Sequence, residues 1–174
     1  FNNLTANNDY PVTAITFSAP ITVDGILNLT DGHIITTTAN ILTLGVGASV
    51  TLVGAPQDSS FIKGPMAIKN NSLASVTKIF PIGKSDSYRR MELIIDQSAG
   101  TTTTYTGEVF HDTATTGGCA TLPITINRVS KVRYYDVTQS PATGLDAAQI
   151  KIWFGCSGKN DVVTDIPNLT VAKT

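Results

Sequence analysis

Charge is scarce in this sequence. Only 14% of its 174 residues are Asp, Glu, Lys or Arg, and 12 basic residues face 13 acidic ones. A nucleic-acid or anionic-membrane partner needs a basic face, and this balance offers none. Aromatic residues are also few, at 7%. That leaves little surface for stacking on sugars or bases. Two histidines supply at most two imidazole ligands, and the two cysteines, Cys119 and Cys156, are too far apart for a CxxC pair and too few for a zinc site. No GxSxG elbow, HExxH pair or phosphate loop occurs. No apolar run approaches the roughly 18 residues that cross a bilayer as a helix. No basic and then apolar leader opens the chain, so the expectation is a removed signal peptide or a piece of a longer protein.

What is abundant is Thr, Asn and Gly, a composition suited to solvated pleated sheet in an extracellular protein. Between residues 15 and 54, apolar residues at alternate positions recur about every six to eight residues. The pairs are Ile15 with Phe17, Ile21 with Val23, Leu27 with Leu29, the Ile34-Ile35 step, Leu42 with Leu44, and Val50 with Leu52. Turn formers separate them: Ala19-Pro20, Asp24-Gly25, Asp31-Gly32, Ala39-Asn40 and Gly45 to Gly47. Each step is short for a hairpin arm but fits one flat side of a coiled β-solenoid with about three sides to a coil. The competing reading is a meander of short hairpins. Some forty residues make only about two coils, below the roughly three at which stacking becomes self-sufficient, so something must cover the open ends.

From Phe61 onward the runs lengthen. Strands are expected at 61–69, 75–82, 88–96, 102–111, 121–128, 130–137, 148–154 and 168–173, with turns at sandwich-like spacing and almost no helix. The fold class expected is therefore all-β, a short N-terminal β-solenoid-like segment packed on an antiparallel β-sandwich. The divisions are an extended arm over 1–14, the solenoid over 15–56 and the sandwich over 57–174. Pro65 and Pro81 suit strand starts or edges, Gly64 and Gly83 suit bends, and Lys63, Lys84, Arg89 and Arg90 read as strand-edge and solvent-face residues.

Catalytic candidates are weak. His33 and His111 read as exposed turn residues, with Glu108 and Asp112 near the latter. Glu92 with Asp96, and Asp161 with Asp165, are four residues apart, about 13 Å along a strand, too far for a glycosidase pair. They read as surface. No cofactor, metal site or catalytic residue is assigned. Cys119 and Cys156 lie beside Gly-rich turns and form either one disulfide or two thiols. Tyr135 and Phe154, if outward on their strands, would make a platform for a glycan, and the alternative is that they cover the sandwich or a neighbouring subunit.

The blocks FNNLTANN, ITVDGILNLTDGHI, LTLG, SFIKGPM, FPIGKSDSYRRMELI and VRYYDV resemble a β-rich module of secreted and cell-surface proteins of Bacteroidota, many of them exported by the type IX route. The succession from Gly64-Pro65-Met66 through Phe80-Pro81-Ile82-Gly83-Lys84 to Tyr88 is the most specific part of the likeness. Arg90 departs from it, standing where such blocks often have Pro, and residues 1–174 include no sorting domain, which leaves open whether they are part of a larger protein. The resemblance implies an extracellular adhesive or structural module with no known catalytic residue. It also implies an O-linked glycan at Thr113, in Asp112-Thr113-Ala114.

The function expected is a non-catalytic extracellular module, a subunit of a surface or matrix filament joined head-to-tail by strand or solenoid-end complementation. Its partners would be other copies of itself or neighbouring domains. Leu4, Val12 and Ile15 would anchor a donated N-terminal arm. The rival is a glycan-binding module of a secreted multi-domain protein.

Overall fold

The computed structural model describes residues 1–9, 14–52, 57–118, 121, 126, 128–153, 163, 170 and 171. Within them the chain is all-β: a three-sided parallel solenoid continues into antiparallel sheets.

The first coil comprises β1 (Leu4–Asn7), β2 (Ala14–Thr16) and β3 (Ile21–Val23). The second comprises β4 (Ile26–Asp31), β5 (His33–Ile35) and β6 (Leu42–Leu44). The third comprises β7 (Ser49–Leu52), a 3-10 turn at Gln57–Ser59, β8 (Ile62–Lys63) and β9 (Met66–Asn70). Corresponding strands stack in parallel register, giving three faces: β1-β4-β7, β2-β5-β8 and β3-β6-β9.

Alternation turns every second residue inward, and parallel register lays equivalent residues on one another. On the second face Ile15, Ile34, Ile62 and β11's Ile82 (Ile82–Lys84) form one aliphatic ladder, of which the last three are fully buried. On the third, Val23, Leu44 and Ile68 form another, and Leu27 with Leu29 fill the first face. Each such buried aliphatic contributes about 1.5–3 kcal/mol relative to an exposed one. Outward residues make polar ladders; the Asn28 side-chain amide donates to Thr5 Oγ1 at 3.3 Å, one coil below.

Two expected boundaries move. Residues 4–7 are not a free arm: Leu4 and Ala6 turn inward and β1 hydrogen-bonds to β4, so this segment opens the first coil. Residues 61–69, expected in the sandwich, instead hold β8 and most of β9, which pair in parallel with β5 and β6. The solenoid thus has three coils, the number at which stacking supports itself.

The remaining strands are β10 (Val76–Phe80), β11, β12 (Ser87–Tyr88), β13 (Met91–Gln97), β14 (Thr103–Phe110), β15 (Tyr134–Ser140) and β16 (Leu145–Ile152). Of these, β11, β12, β14 and β15 extend two faces of the coils. The second face runs β2-β5-β8-β11-β12 and the third β3-β6-β9-β14-β15, each hydrogen-bonded throughout. The first face stops at β7, and β10-β13-β16 forms a separate antiparallel sheet. The expected strands at 121–128 and 168–173 fall mostly outside the described residues.

The Gly-Pro and Pro-Ile-Gly-Lys motifs serve this junction. Gly64 has φ +134° and lies against the backbone carbonyl of Thr36, whose hydroxyl donates to the Pro65 carbonyl at 2.7 Å. The Ile62 amide donates to the Pro81 carbonyl at 2.8 Å, and Gly83 lies against the buried Phe61 ring and the Ser87 carbonyl, where a larger residue would not fit.

Candidate assembly surfaces

A stack of strands satisfies its backbone groups in the middle and leaves them open at the ends. The outer edges of β1, β2 and β3 at one end, and of β12, β15 and β16 at the other, have no strand partner among the described residues. At the first end a single rung of a further coil is present. The Phe1 amino group donates to the Thr22 carbonyl at 2.6 Å and the Asp24 amide donates to the Phe1 carbonyl at 2.7 Å, a parallel bridge opposite Val23. Asn3 Oδ1 fixes the approach by accepting from the Ile26 amide at 2.8 Å. Phe1 stays 67% exposed, an apolar rung at the open end.

Leu4 and Ile15, expected in a donated arm, lie half-buried in β1 and β2 against the chain's own core. Val12 lies outside the described residues, as do Cys119, Cys156, Phe154, Asp161 and Asp165. Thr113 sits in a turn; its amide donates to Asp112 Oδ1 at 2.7 Å, and its hydroxyl shares a 3.0 Å hydrogen bond with that of Thr115. Tyr135 is half-buried, with Arg133 lying over its ring at 5.5 Å, which leaves little open face for a sugar.

Several side chains expected on the surface are buried. His33 is 4% exposed, its ring 4.1 Å from that of Phe61 and its Nε2 3.0 Å from the Asp58 carbonyl. This requires the proton on Nε2. Burial pulls its pKa below the ordinary histidine value. Arg89 and Glu92 are buried too; Glu92 pairs with Arg90 and lies 4.0 Å from Lys151, and the Arg90 guanidinium lies over Trp153 at 4.9 Å. Lys63 pairs with Asp86 at 3.2 Å, and Lys84 with Glu108 at 3.1 Å. His111 is exposed, as expected. Burial pushes the Tyr88 hydroxyl up to about 12.

No group of three or more metal-ligating side chains occurs among the described residues. The sequence pattern marks neither Phe1 as a rung of the stack nor Thr22, which turns its backbone to the open edge. The Val23-to-Leu44 spacing taken back once more lands on Asn2, one residue from Phe1.

No protein-family model, curated protein or solved structure matches this chain. The functional reading rests on the geometry of the chain itself and on its sequence motifs.

Proposed function

We propose that this chain is a non-catalytic structural module of an extracellular surface or matrix assembly, working by end-to-end stacking of its strand edges. The observation that carries this reading is that the second and third faces run as five-stranded hydrogen-bonded sheets that stop at edges with no strand partner among the described residues. A neighbour that completes those edges gains backbone hydrogen bonds and covers apolar rungs such as Phe1 together. Because the two ends differ, the contact is head-to-tail, and stacking along the coil axis, which does not close into a ring, grows a filament. The extracellular setting, and a kinship with type IX-exported Bacteroidota surface modules, are part of this proposal and draw on the composition and the motif succession at residues 64 to 88.

Electron microscopy of the purified chain, with sedimentation across a concentration series, tests it. A continuous stack of five-stranded faces has an axial repeat of about 24 Å, from the ordinary spacing of neighbouring strands. Filaments with that repeat are the expected result. A chain that stays monomeric at every concentration overturns the reading.

A further inference from the structure

The first face ends at β7 where the other two faces continue, because among the described residues β7 pairs only with β4 and β10 only with β13. A cleft of about 150 Å³ lies at this break. It is lined by Val50 of β7 and Ile79 of β10, by Ala48, and by the buried Leu44 and Ile68 of the third face. A space of this size with aliphatic walls takes one benzene-sized group. Volume therefore limits an apolar occupant to about six carbons, and a long acyl chain would leave most of its length outside.

Lys78 gives the cleft a single charge. It lines the cleft half-buried, opposite Leu93 in the β10/β13 pair and on the same side of β10 as the fully buried Phe80. No carboxylate lines the cleft with it, and among the described residues Lys78 has no hydrogen-bonded or ionic partner. By contrast, Lys63, Lys84 and Lys151 each have a carboxylate oxygen within 4.0 Å. Burial lowers the pKa of the Lys78 amine, and no neighbouring carboxylate counters that shift. A partly desolvated ammonium in aliphatic surroundings is costly unless an anion joins it.

We propose that this cleft binds a small monocarboxylate, an aryl or short alkyl acid with an apolar body of about six carbons, its body against the aliphatic walls and its carboxylate on the Lys78 ammonium. The charges match one to one, and a hydrogen bond between an ammonium and a carboxylate is about twice as strong as one between neutral groups. A phosphate or sulfate would bring more acceptors than one ammonium can serve and would leave the aliphatic walls uncovered. A neutral apolar molecule would cover the walls but leave the ammonium without a partner. Every lining residue belongs to one chain, so the site does not depend on self-assembly.

Saturation-transfer difference NMR on the purified full chain tests this with benzoate, its neutral isostere benzamide, and acetate, and it reads weak ligands on monomers and filaments alike. Benzoate is expected to bind saturably and at least tenfold tighter than benzamide or acetate. Lys78→Met should weaken benzoate at least tenfold while leaving benzamide within about twofold, and Lys78→Arg should restore the preference for benzoate. A lysine with only a structural role would move both ligands together. Ala48→Leu, which narrows the cleft, should weaken benzoate and benzamide alike, and the Lys78 variants decide the question even if Ala48→Leu does not fold. Benzoate that shows no saturable transfer, or that binds no tighter than benzamide, overturns the carboxylate site. Benzoate binding unchanged by Lys78→Met lies elsewhere on the chain and overturns the cleft.

Discussion

Phe1 and Val23 form a parallel bridge, so the chain carries one rung of a fourth coil on the open edge of its first. Ile21 and Val23 turn their backbone groups inward to β6, as the Ile21 amide donating to the Ile41 carbonyl at 3.0 Å and the Gly45 amide donating to the Val23 carbonyl at 2.8 Å show. Thr22, between them, points its own amide and carbonyl to the open side. Thr22→Pro therefore deletes a donor that the fold does not use, and proline is tolerated on a strand edge facing solvent. The expected outcome is a folded chain, destabilised by about 1 kcal/mol or less in urea melts, whose end-to-end association is lost in sedimentation. Association at wild-type strength would show that this edge is not a contact.

Gly64 is where the chain leaves the second face for the third. At φ +134° it occupies a region that side-chain-bearing residues avoid, and a Cβ there would run into the Thr36 carbonyl. Both effects act in the same direction, and such backbone strain costs about 1–3 kcal/mol. Gly64→Ala is expected to lower the unfolding free energy by more than the strain alone, read as a shift in the denaturant midpoint. Gly47, also at positive φ but with nothing within 4 Å of an added Cβ, should cost only the strain when changed to Ala. The difference between the two measures the Thr36 contact.

Much of this architecture is legible in the sequence because inward positions alternate. Ile21 with Val23, Leu27 with Leu29 and Leu42 with Leu44 mark the coils, since each pair is the inward half of one short strand. The first strand is not legible, because in Leu4–Asn7 the inward partner of Leu4 is Ala6, too small to stand out from the polar residues around it. Nor is the direction of pairing. Met66–Asn70 has the same alternation whether its neighbour runs parallel or antiparallel, and it has one of each, β6 and β14. Arg89 and Arg90 read as strand-edge and solvent-face residues, yet Arg89 is buried and Arg90 pairs with the buried Glu92 of β13, through packing between strands that the local pattern does not carry. His33 follows an Asp-Gly turn and reads as exposed, yet coil three covers it with Phe61.

The buried His33 gives stability a pH dependence with a definite sign. Its folded-state pKa lies below the ordinary value of 6.5, so the unfolded chain takes up the proton first as pH falls. Stability is therefore intact above 6.5, declines as pH falls below it, and the loss is complete below the folded-state pKa. His33→Gln retains an amide able to donate to the Asp58 carbonyl but does not titrate. Between about pH 7 and about pH 5.5 the wild-type denaturant midpoint should fall more steeply than that of the variant. Equal slopes would mean that His33 is hydrated in the folded state.

Three buried polar side chains tie the far end of the third face to β13. The Asn70 side-chain amide donates to Gln97 Oε1, while the Gln97 amide donates to Thr103 Oγ1 at 3.0 Å and to the Thr101 carbonyl at 3.3 Å. The Thr103 hydroxyl in turn donates to the Thr101 carbonyl at 3.3 Å. Asn70, Gln97 and Thr103 are 2%, 5% and 0% exposed, so water cannot readily replace a missing partner. Gln97→Leu leaves the Asn70 amide with only its 3.5 Å contact to the Ser72 carbonyl and removes a donor from Thr103. A buried group left unsatisfied costs about 1–3 kcal/mol, which is the loss expected in calorimetry. Replacing Asn70 with Leu as well removes the stranded amide together with its partner, so the double variant should be less destabilised than the sum of the singles. Strict additivity would instead place these groups in contact with water.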